Sequence, residues 1–466
     1  MNATPQTDGI RHVMRRRAIG AMISALCLLA DGVALAQGRF EATKSPQGLA
    51  FHHREQAATP FAAVTFGMRD IFGLTTPGKE GFAALGAALV MQGADGGGQT
   101  EFSEQLRDLA ATASISFGQF STIGTVRAPG NTIAKSMGLM ASALKSAQPT
   151  EKLVARLRQR AGGADAQAAQ RAETIAQRAA LHFALGSHPL TRGFDPDRFA
   201  RVSGEDLASW RKATLVRSRL NIVVSGRISK NEAGRLVDAS FADIPDDKSR
   251  PALEWPEVSL QAGTIVVEHD TTQSAIVLVG LTGLSTPREV ERAIVANAVL
   301  GGSNGRLWQG VRAALGSTYG AGSGLQLVGP GKRIVTLRTA VDNDKVKATL
   351  EALRTVYATW RDKGVAADEL RAVTSRLAND QRSALDDPAR ANGLVVAMRL
   401  AGRPVEDIYS YESRIRGVEL AALNRFIAEK FPAPDQLITV IVTPRADGLG
   451  ATCTIRSAED APRCRK

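Results

Sequence analysis

One segment occurs twice in this chain, and its repetition constrains the fold more than any other sequence feature. Residues 73–77 read GLTTP and residues 283–287 read GLSTP, an offset of 210 positions. Each copy follows a short apolar run typical of a strand, residues 61–66 before the first copy and 274–279 before the second. A strand followed by the same turn at two places indicates an internally duplicated fold.

The helical pattern after each copy strengthens this interpretation. Residues 80–92 and 288–300 are both rich in alanine, and glycine follows each stretch, as is common at helix C-termini. Ala88 corresponds to Ala298 at the same offset. The sequence therefore predicts one strand–turn–helix unit in two copies.

The rest of each copy completes an α+β lobe. A polar, proline-containing stretch at residues 246–257 predicts a linker between two domains, residues 40–245 and 258–450, which suits a chain of 466 residues. Further helices are predicted at residues 133–147, 151–184, 345–360 and 367–385, and late strands at 220–225 and 436–443.

The first 36 residues have the pattern of an export signal rather than of a folded segment. Four arginines precede an apolar run at residues 18–30, and residues 34–36 read ALA, a sequence that signal peptidase accepts. The run is too short to span a bilayer, so we expect cleavage before Gln37 and a periplasmic or secreted protein. A retained amphipathic anchor is the alternative, and a lipoprotein site at Cys27 is disfavoured because the preceding Leu26 is bulky.

Export gives the two remaining cysteines a structural role. Cys453 and Cys464 lie close together in a polar tail, residues 451–466. In an oxidising compartment we expect them to form a disulfide that pins the C-terminus. A metal site is disfavoured there, because the tail holds no further thiol and no histidine.

The charge of the chain does not indicate a nucleic-acid partner. The net charge is +12, and it falls to +10 when the predicted signal takes four arginines and two aspartates with it. The arginines are spread along the chain with few aromatic residues among them, so we expect a solvated basic surface. The glycine run at residues 93–98 lacks the lysine–serine ending of a phosphate loop.

Four segments resemble the insulinase-type (M16) zinc peptidase family. They are residues 79–93, 186–190, 300–307 and 311–320. The resemblance extends from residue 40 to residue 450 and includes the duplicated plan. It implies that each lobe is a mostly antiparallel sheet covered by helices, and that the chain forms one half of a clamshell.

The zinc ligands of that family are missing from this chain. Active members carry H-x-x-E-H on the first helix, where two imidazoles at i and i+4 reach one Zn²⁺. The resemblance places these positions at Ala84, Ala87 and Ala88, whose methyl groups cannot bind zinc or accept a proton. The family's third ligand is a glutamate on a later helix, and residues 152–172 contain none. We therefore predict no metal, no cofactor and no peptidase activity in this chain alone.

A second segment of the family's active-site pattern is present in this chain. Residues 311–320 match the family's arginine–leucine-glycine–tyrosine segment, which implies roles for Arg312 and Tyr319. In active relatives the arginine holds a substrate carbonyl, and the tyrosine hydroxyl stabilises the oxyanion of the tetrahedral intermediate. The alternative is that Arg312 caps a helix and Tyr319 packs in the core.

The histidines do not replace the missing ligands. His52 and His53 are adjacent in a strand-like segment, so their side chains face opposite sides. His182 and His188 straddle a predicted helix end, and His269 is isolated near the end of a strand. Each is predicted to be a structural or surface histidine.

Two functions fit these observations. The first is the non-catalytic subunit of a heterodimeric M16 peptidase, in which a partner carrying H-x-x-E-H holds the zinc and this chain supplies Arg312, Tyr319 and a sheet edge for an extended peptide. The second is a peptide-binding or assembly protein with no role in hydrolysis. A self-sufficient peptidase with unusual ligands is a third possibility, and it requires one equivalent of metal in the isolated chain.

Overall fold

A computed structural model describes residues 38–70, 78–94, 98–195, 197–247, 255–315 and 320–465. The predicted signal peptide, the first copy of the repeated segment, most of the predicted linker and Tyr319 lie outside these ranges. Within the described ranges, no helix combines the length and apolar character needed to cross a bilayer. Below, the first half means residues 38–247 and the second half means residues 255–465.

The first half contains a six-stranded sheet with the order β1-β2-β6-β3-β5-β4. Its neighbours run antiparallel, except that β2 and β6 are parallel. The strands are β1 (Glu41–Lys44), β2 (Ala50–Glu55), β3 (Phe61–Arg69), β4 (Thr112–Phe117), β5 (Ser121–Pro129) and β6 (Asn221–Gly226).

The second half repeats this plan in a six-stranded sheet with the order β12-β7-β11-β8-β10-β9. The strands are β7 (Gly263–Glu268), β8 (Gln273–Gly283), β9 (Ala321–Gly329), β10 (Lys332–Asp342), β11 (Ile438–Thr443) and β12 (Cys453–Ile455). Here β7 is parallel to both β11 and β12, and the remaining pairs are antiparallel. The predicted α+β fold with two homologous, mostly antiparallel sheets is confirmed.

Helices cover both sheets. Those of the first half are α1 (Phe82–Val90), α2 (Gln99–Asp108), α3 (Ile133–Ser146), α4 (Glu151–Ala169), α5 (Ala172–Leu185), α6 (Gly204–Thr214) and α7 (Lys230–Phe241). Those of the second half are α8 (Pro287–Gly301), α9 (Arg306–Leu315), α10 (Val346–Lys363), α11 (Ala367–Asp386), α12 (Pro388–Leu400), α13 (Asp407–Arg416) and α14 (Leu420–Lys430).

The two halves exchange one helix each. Helix α5 packs on strands β8 and β11 of the second sheet, and α12 packs on β3 and β6 of the first sheet. On α5 the buried residues Ala176 and Ala179 share a cluster with Val277 and Val440. Small alanine side chains let the helix approach the sheet closely. The helical region predicted at residues 151–184 therefore consists of two helices, α4 and α5, and the second of them packs on the sheet of the other half.

A buried polar contact fixes the position of α12. Asn392 is fully buried, and its Nδ2 donates to the carbonyl oxygens of Ala63 (3.0 Å) and Val223 (3.2 Å). Its Oδ1 accepts from the hydroxyl of Ser225 at 2.6 Å. Gly67 leaves room for the same helix, since a Cβ there would lie 2.3 Å from a methyl carbon of Val396. This contact ties the second half to the centre of the first sheet.

The C-terminal tail is part of the folded core. Strand β12 extends the second sheet beside β7, and the following short 3-10 helix, Ala458–Cys464, packs on α5. Ala461 is fully buried in this contact. Cys453 and Cys464 form the predicted disulfide, which closes the tail over α5.

The start of α8 provides a pH-dependent contribution to stability. Glu289 accepts hydrogen bonds from the Lys430 ammonium (2.7 Å) and from the backbone amides of Thr286 and Ser285 (2.9 Å each). These bonds, first that of Lys430, lower the pKa of Glu289 from 4.5 to about 2. The folded state therefore favours the carboxylate. The contribution of these hydrogen bonds to the free energy of unfolding is present above pH 4.5 and is lost as the pH falls towards 2.

We expect Glu289→Gln to lower the free energy of unfolding by about 1 kcal/mol at pH 7, the usual value of a helix cap. This deficit should shrink as the pH is lowered from 4.5 towards about 2. Urea unfolding at a series of pH values measures it. Glu351→Gln is the control, because Glu351 is exposed on α10. An equal deficit at pH 3 and pH 7 would contradict the assignment.

Candidate functional site

The first helix of the first half presents the three predicted alanines on one face. Ala84, Ala87 and Ala88 all line the same cleft, as expected for positions i, i+3 and i+4. The opposite side of α1 is fixed by Trp210, since a Cβ at Gly86 would lie 2.2 Å from its indole ring. The helix on which the sequence resemblance places H-x-x-E-H is therefore formed, and three alanine methyl groups face the cleft from it.

The cleft beside these alanines has a volume of about 550 Å³. Its walls come from α1, from α4, from the end of β4 and from the turn that contains Phe199. Apolar side chains dominate the lining, namely Ala84, Leu85, Ala87, Ala88, Met91, Ile115, Phe117, Leu157, Ala161, Ala164, Ala168 and Phe199. The polar lining residues are Gln92, Gln99, Arg160, Asp165 and Arg198.

One carboxylate faces the alanines from α4. Asp165 accepts two hydrogen bonds from the guanidinium of Arg198 (2.7 and 2.9 Å) and one from Arg178 at 3.0 Å. All three side chains are largely buried, with exposed fractions of 13% for Asp165, 14% for Arg198 and 7% for Arg178. Residues 152–172 contain no glutamate, but they do contain Asp165, which is the one acidic side chain among the described lining residues.

These residues do not fit a catalytic zinc ion. Such a site takes three protein ligands, and Asp165 is already bound by two arginines. Within the described ranges, no three side chains of histidine, cysteine, aspartate or glutamate are grouped closely enough to hold a metal ion.

His53 and His188 have structural surroundings, and the described lining of the cleft contains no histidine. The Nε2 atom of His53 lies 3.0 Å from the carbonyl oxygen of Ile228. His188 accepts a hydrogen bond from the amide of Leu190 and caps a short 3-10 helix. Burial lowers the pKa of both imidazoles below its usual value, which favours their neutral forms.

Arg312 lies in the last turn of α9, in the second half, and does not line the cleft. It is exposed, and its guanidinium stacks over the indole ring of Trp308 at 4.8 Å. Tyr319 lies outside the described residues. The roles predicted for this pair therefore stay predictions.

Each sheet has one edge strand near the contact between the halves, β4 in the first and β9 in the second. The turn after β4 meets β9, where Gln119 donates to the carbonyl oxygen of Leu327 at 2.7 Å. Phe117, at the end of β4, is 54% exposed and lines the cleft. An edge strand that borders a cleft is suited to pairing with an extended peptide.

Part of the sequence matches a family model, and the fold is similar to that of several solved structures. Residues 201–377 match the family model of the peptidase M16 inactive domain. No curated protein matches the sequence. The fold is similar to a peptidase M16 inactive domain from Pseudomonas fluorescens, with 16% identity, a TM-score of 0.78, and coverage of 87% of this chain and 98% of that chain.

Two further solved structures share the fold. A protease from Helicobacter pylori is 15% identical with a TM-score of 0.77, and 87% of this chain and 99% of that chain are covered. The periplasmic protease PqqL from Escherichia coli is 14% identical with a TM-score of 0.73. The match covers 87% of this chain but 46% of PqqL, so the chain spans less than half of that protein.

Proposed function

We propose that the chain, whose residues 201–377 match the inactive domain of the M16 peptidase family, is the non-catalytic subunit of an exported heterodimeric M16 metallopeptidase. A partner with the H-x-x-E-H motif would hold the zinc ion, which supplies an activated water for peptide-bond hydrolysis. This chain would contribute the opposite wall of the peptide chamber.

One observation carries the proposal. The cleft beside the predicted motif positions is open, with a volume of about 550 Å³, but alanine occupies all three positions and Asp165 is bound by Arg178 and Arg198. A chain that had lost all use of this cleft would be expected to fill it with larger side chains, because interiors pack closely. An open cleft beside the exposed Phe117 supports continued contact with peptide.

The chain's own residues would bind and orient the substrate. Strand β4, which lies at the edge of the first sheet, would pair with an extended peptide through backbone hydrogen bonds. We further propose that Arg312 and Tyr319 act across the chamber on the partner's site, where the guanidinium holds a substrate carbonyl and the phenol donates to the oxyanion. Arg312 is exposed and so is available for contact in trans.

Export to the periplasm or secretion completes the proposal. It is supported by the charge and apolar pattern of residues 1–36 and by the Cys453–Cys464 disulfide, since disulfides persist in oxidising compartments. The similar fold of PqqL, a periplasmic protease, agrees with this location.

Reconstitution tests the subunit role. The purified chain alone should contain no stoichiometric zinc and cleave no peptide, whereas mixing it with its zinc-bearing partner should produce cleavage. Elemental analysis and a peptide-hydrolysis assay measure both. One equivalent of zinc in the isolated chain would refute the proposal. A stable complex with peptide but without any zinc-bearing partner would favour the alternative, a peptide-binding or assembly protein.

Within the reconstituted complex, Tyr319→Phe should lower kcat by about 10²–10³, the usual effect of losing one oxyanion donor. Tyr409→Phe is a matched control. It removes a hydroxyl that accepts a hydrogen bond from the Phe40 amide at 2.6 Å, at a contact between the halves and away from the cleft lining. Its turnover should equal that of the wild type. An unchanged rate for Tyr319→Phe would exclude the role in trans.

A further inference from the structure

The cleft has a second chemical character besides its apolar walls, which is positive charge at the rim. Arg156 and Arg160 lie one turn apart on α4, and both are exposed. Arg160 donates to Gln99 at 2.7 Å, and Arg156 donates to Gln92 at 3.3 Å. Both glutamines line the cleft. The two guanidinium groups therefore stand at the mouth of the cleft.

The described part of the chain pairs no carboxylate with this positive charge. Neither Arg156 nor Arg160 forms an ion pair with a carboxylate among the described residues. Asp165 is shared between Arg178 and Arg198, so the cleft carries a net positive charge. A guanidinium has five N–H donors in a planar fork. Arg156 and Arg160 each donate one hydrogen bond to a glutamine side chain. The remaining donors match a carboxylate.

The apolar part of the cleft suits a large aliphatic or aromatic group. A volume of about 550 Å³ lies within the range of ligand pockets, which is roughly 300–1,000 Å³. The alanines of α1 and α4 leave this space open, and Leu157 and Phe199 form its inner wall. Strand β4 leads into it, because Ile115 and Phe117 contribute side chains to both the edge strand and the cleft.

We propose that the cleft binds the free carboxyl end of an extended peptide whose last residue is large and apolar. The apolar side chain would enter between α1 and α4, and the terminal carboxylate would bind Arg160 and Arg156 at the rim. The preceding residues would pair with β4. The inference refines the proposed peptide chamber and rests on it, but binding is a property of this chain without its partner.

Fluorescence anisotropy with the isolated chain tests this inference. The probe is a fluorescein-labelled heptapeptide of alternating serine and threonine that ends in leucine with a free carboxylate. Its C-terminal amide should bind about tenfold more weakly, which corresponds to one lost charge-assisted interaction. A version that ends in serine should also bind about tenfold more weakly. Equal binding of the amide, or of the serine version, would overturn the proposal.

Variants of α4 locate the site. Arg160→Gln should weaken binding of the free acid about tenfold and leave that of the amide unchanged, while Lys152→Gln removes the same charge from an exposed position outside the cleft and should have no effect. Ala164→Phe should block the mouth and weaken binding at least tenfold. Ala166→Phe is its control, since Ala166 is exposed on the same helix and does not line the cleft. Equal effects within either pair would overturn the proposal.

Two further outcomes distinguish a peptide ligand from a free acid, and distinguish failure of this inference from failure of the proposed subunit role. If decanoate binds with the same variant dependence while the peptide does not bind, a free amphiphilic acid is the ligand and the peptide assignment is wrong. If the peptide binds as predicted but no zinc-bearing partner gives cleavage, the inference stands and the subunit role fails. If the complex cleaves peptide but the isolated chain does not select a free C-terminus, the subunit role stands and this inference fails.

Discussion

Replacing Asn392 by aspartate should lower the free energy of unfolding by about 3–5 kcal/mol at pH 7, the usual cost of an uncompensated buried charge. The wild-type amide donates to the carbonyl oxygens of Ala63 and Val223 in the middle of the first sheet. Aspartate has the same shape, but its carboxylate cannot donate and would face both oxygens as an acceptor. Urea unfolding, followed by the fluorescence of the buried Trp210 and Trp360, measures the loss.

The loss in free energy of unfolding caused by Asn392→Asp should increase with pH. Burial and the two carbonyl oxygens should raise the pKa of the introduced carboxyl above its usual value of about 3.9. The folded variant then keeps a proton that the unfolded chain has lost, so the deficit is small near pH 4 and grows as the pH rises.

A smaller substitution in the same network serves as the control. Ser225→Ala removes the hydrogen bond to Asn392 Oδ1 without adding charge, and it should cost about 1 kcal/mol at every pH. An Asn392→Asp variant as stable as the wild type at pH 7 would contradict the described packing of α12 on the first sheet.

The exchange of α5 and α12 between the halves was beyond the reach of sequence patterns. Residues 151–184 show a continuous helical pattern because no proline or glycine marks the break, which falls at Gln170 and Arg171. The break exists because α5 packs on a sheet whose strands begin near residue 263. Local propensity carries no information about a contact partner that distant in the chain.

The duplicated plan and the alanine face of α1 were predictable, because each depends on local spacing. Positions i, i+3 and i+4 share a face in any α-helix, so the common location of Ala84, Ala87 and Ala88 follows from their numbering alone. The role of Asp165 does not, since its partners Arg178 and Arg198 lie on later segments of the chain. A lone acidic residue within the alanine-rich end of α4 was the one signal that pointed to it.

The role of Asp165 leads to the second large effect. The triple substitution Ala84→His, Ala87→Glu and Ala88→His should give a chain that binds zinc weakly and cleaves no peptide. Two imidazoles one turn apart supply two ligands. The third would have to be Asp165, whose oxygens already accept three hydrogen bonds from arginines. The positive charge of Arg198, which also lines the cleft, further opposes a divalent cation.

Adding Arg198→Gln to this triple variant should release one oxygen of Asp165 and strengthen zinc binding by about 10- to 100-fold, the range found when groups around metal ligands are changed. Competition with a chromophoric chelator at pH 7 measures the affinity. Arg201→Gln is the matched control, because Arg201 pairs with Asp195 and does not line the cleft. Tight zinc binding by the triple variant alone, or an equal gain in zinc affinity from Arg201→Gln, would show that the arginines do not prevent Asp165 from binding zinc. The expected result would mean that two separate features prevent this chain from binding zinc. One is the absence of ligands on α1, and the other is the pairing of Asp165 on α4 with arginines.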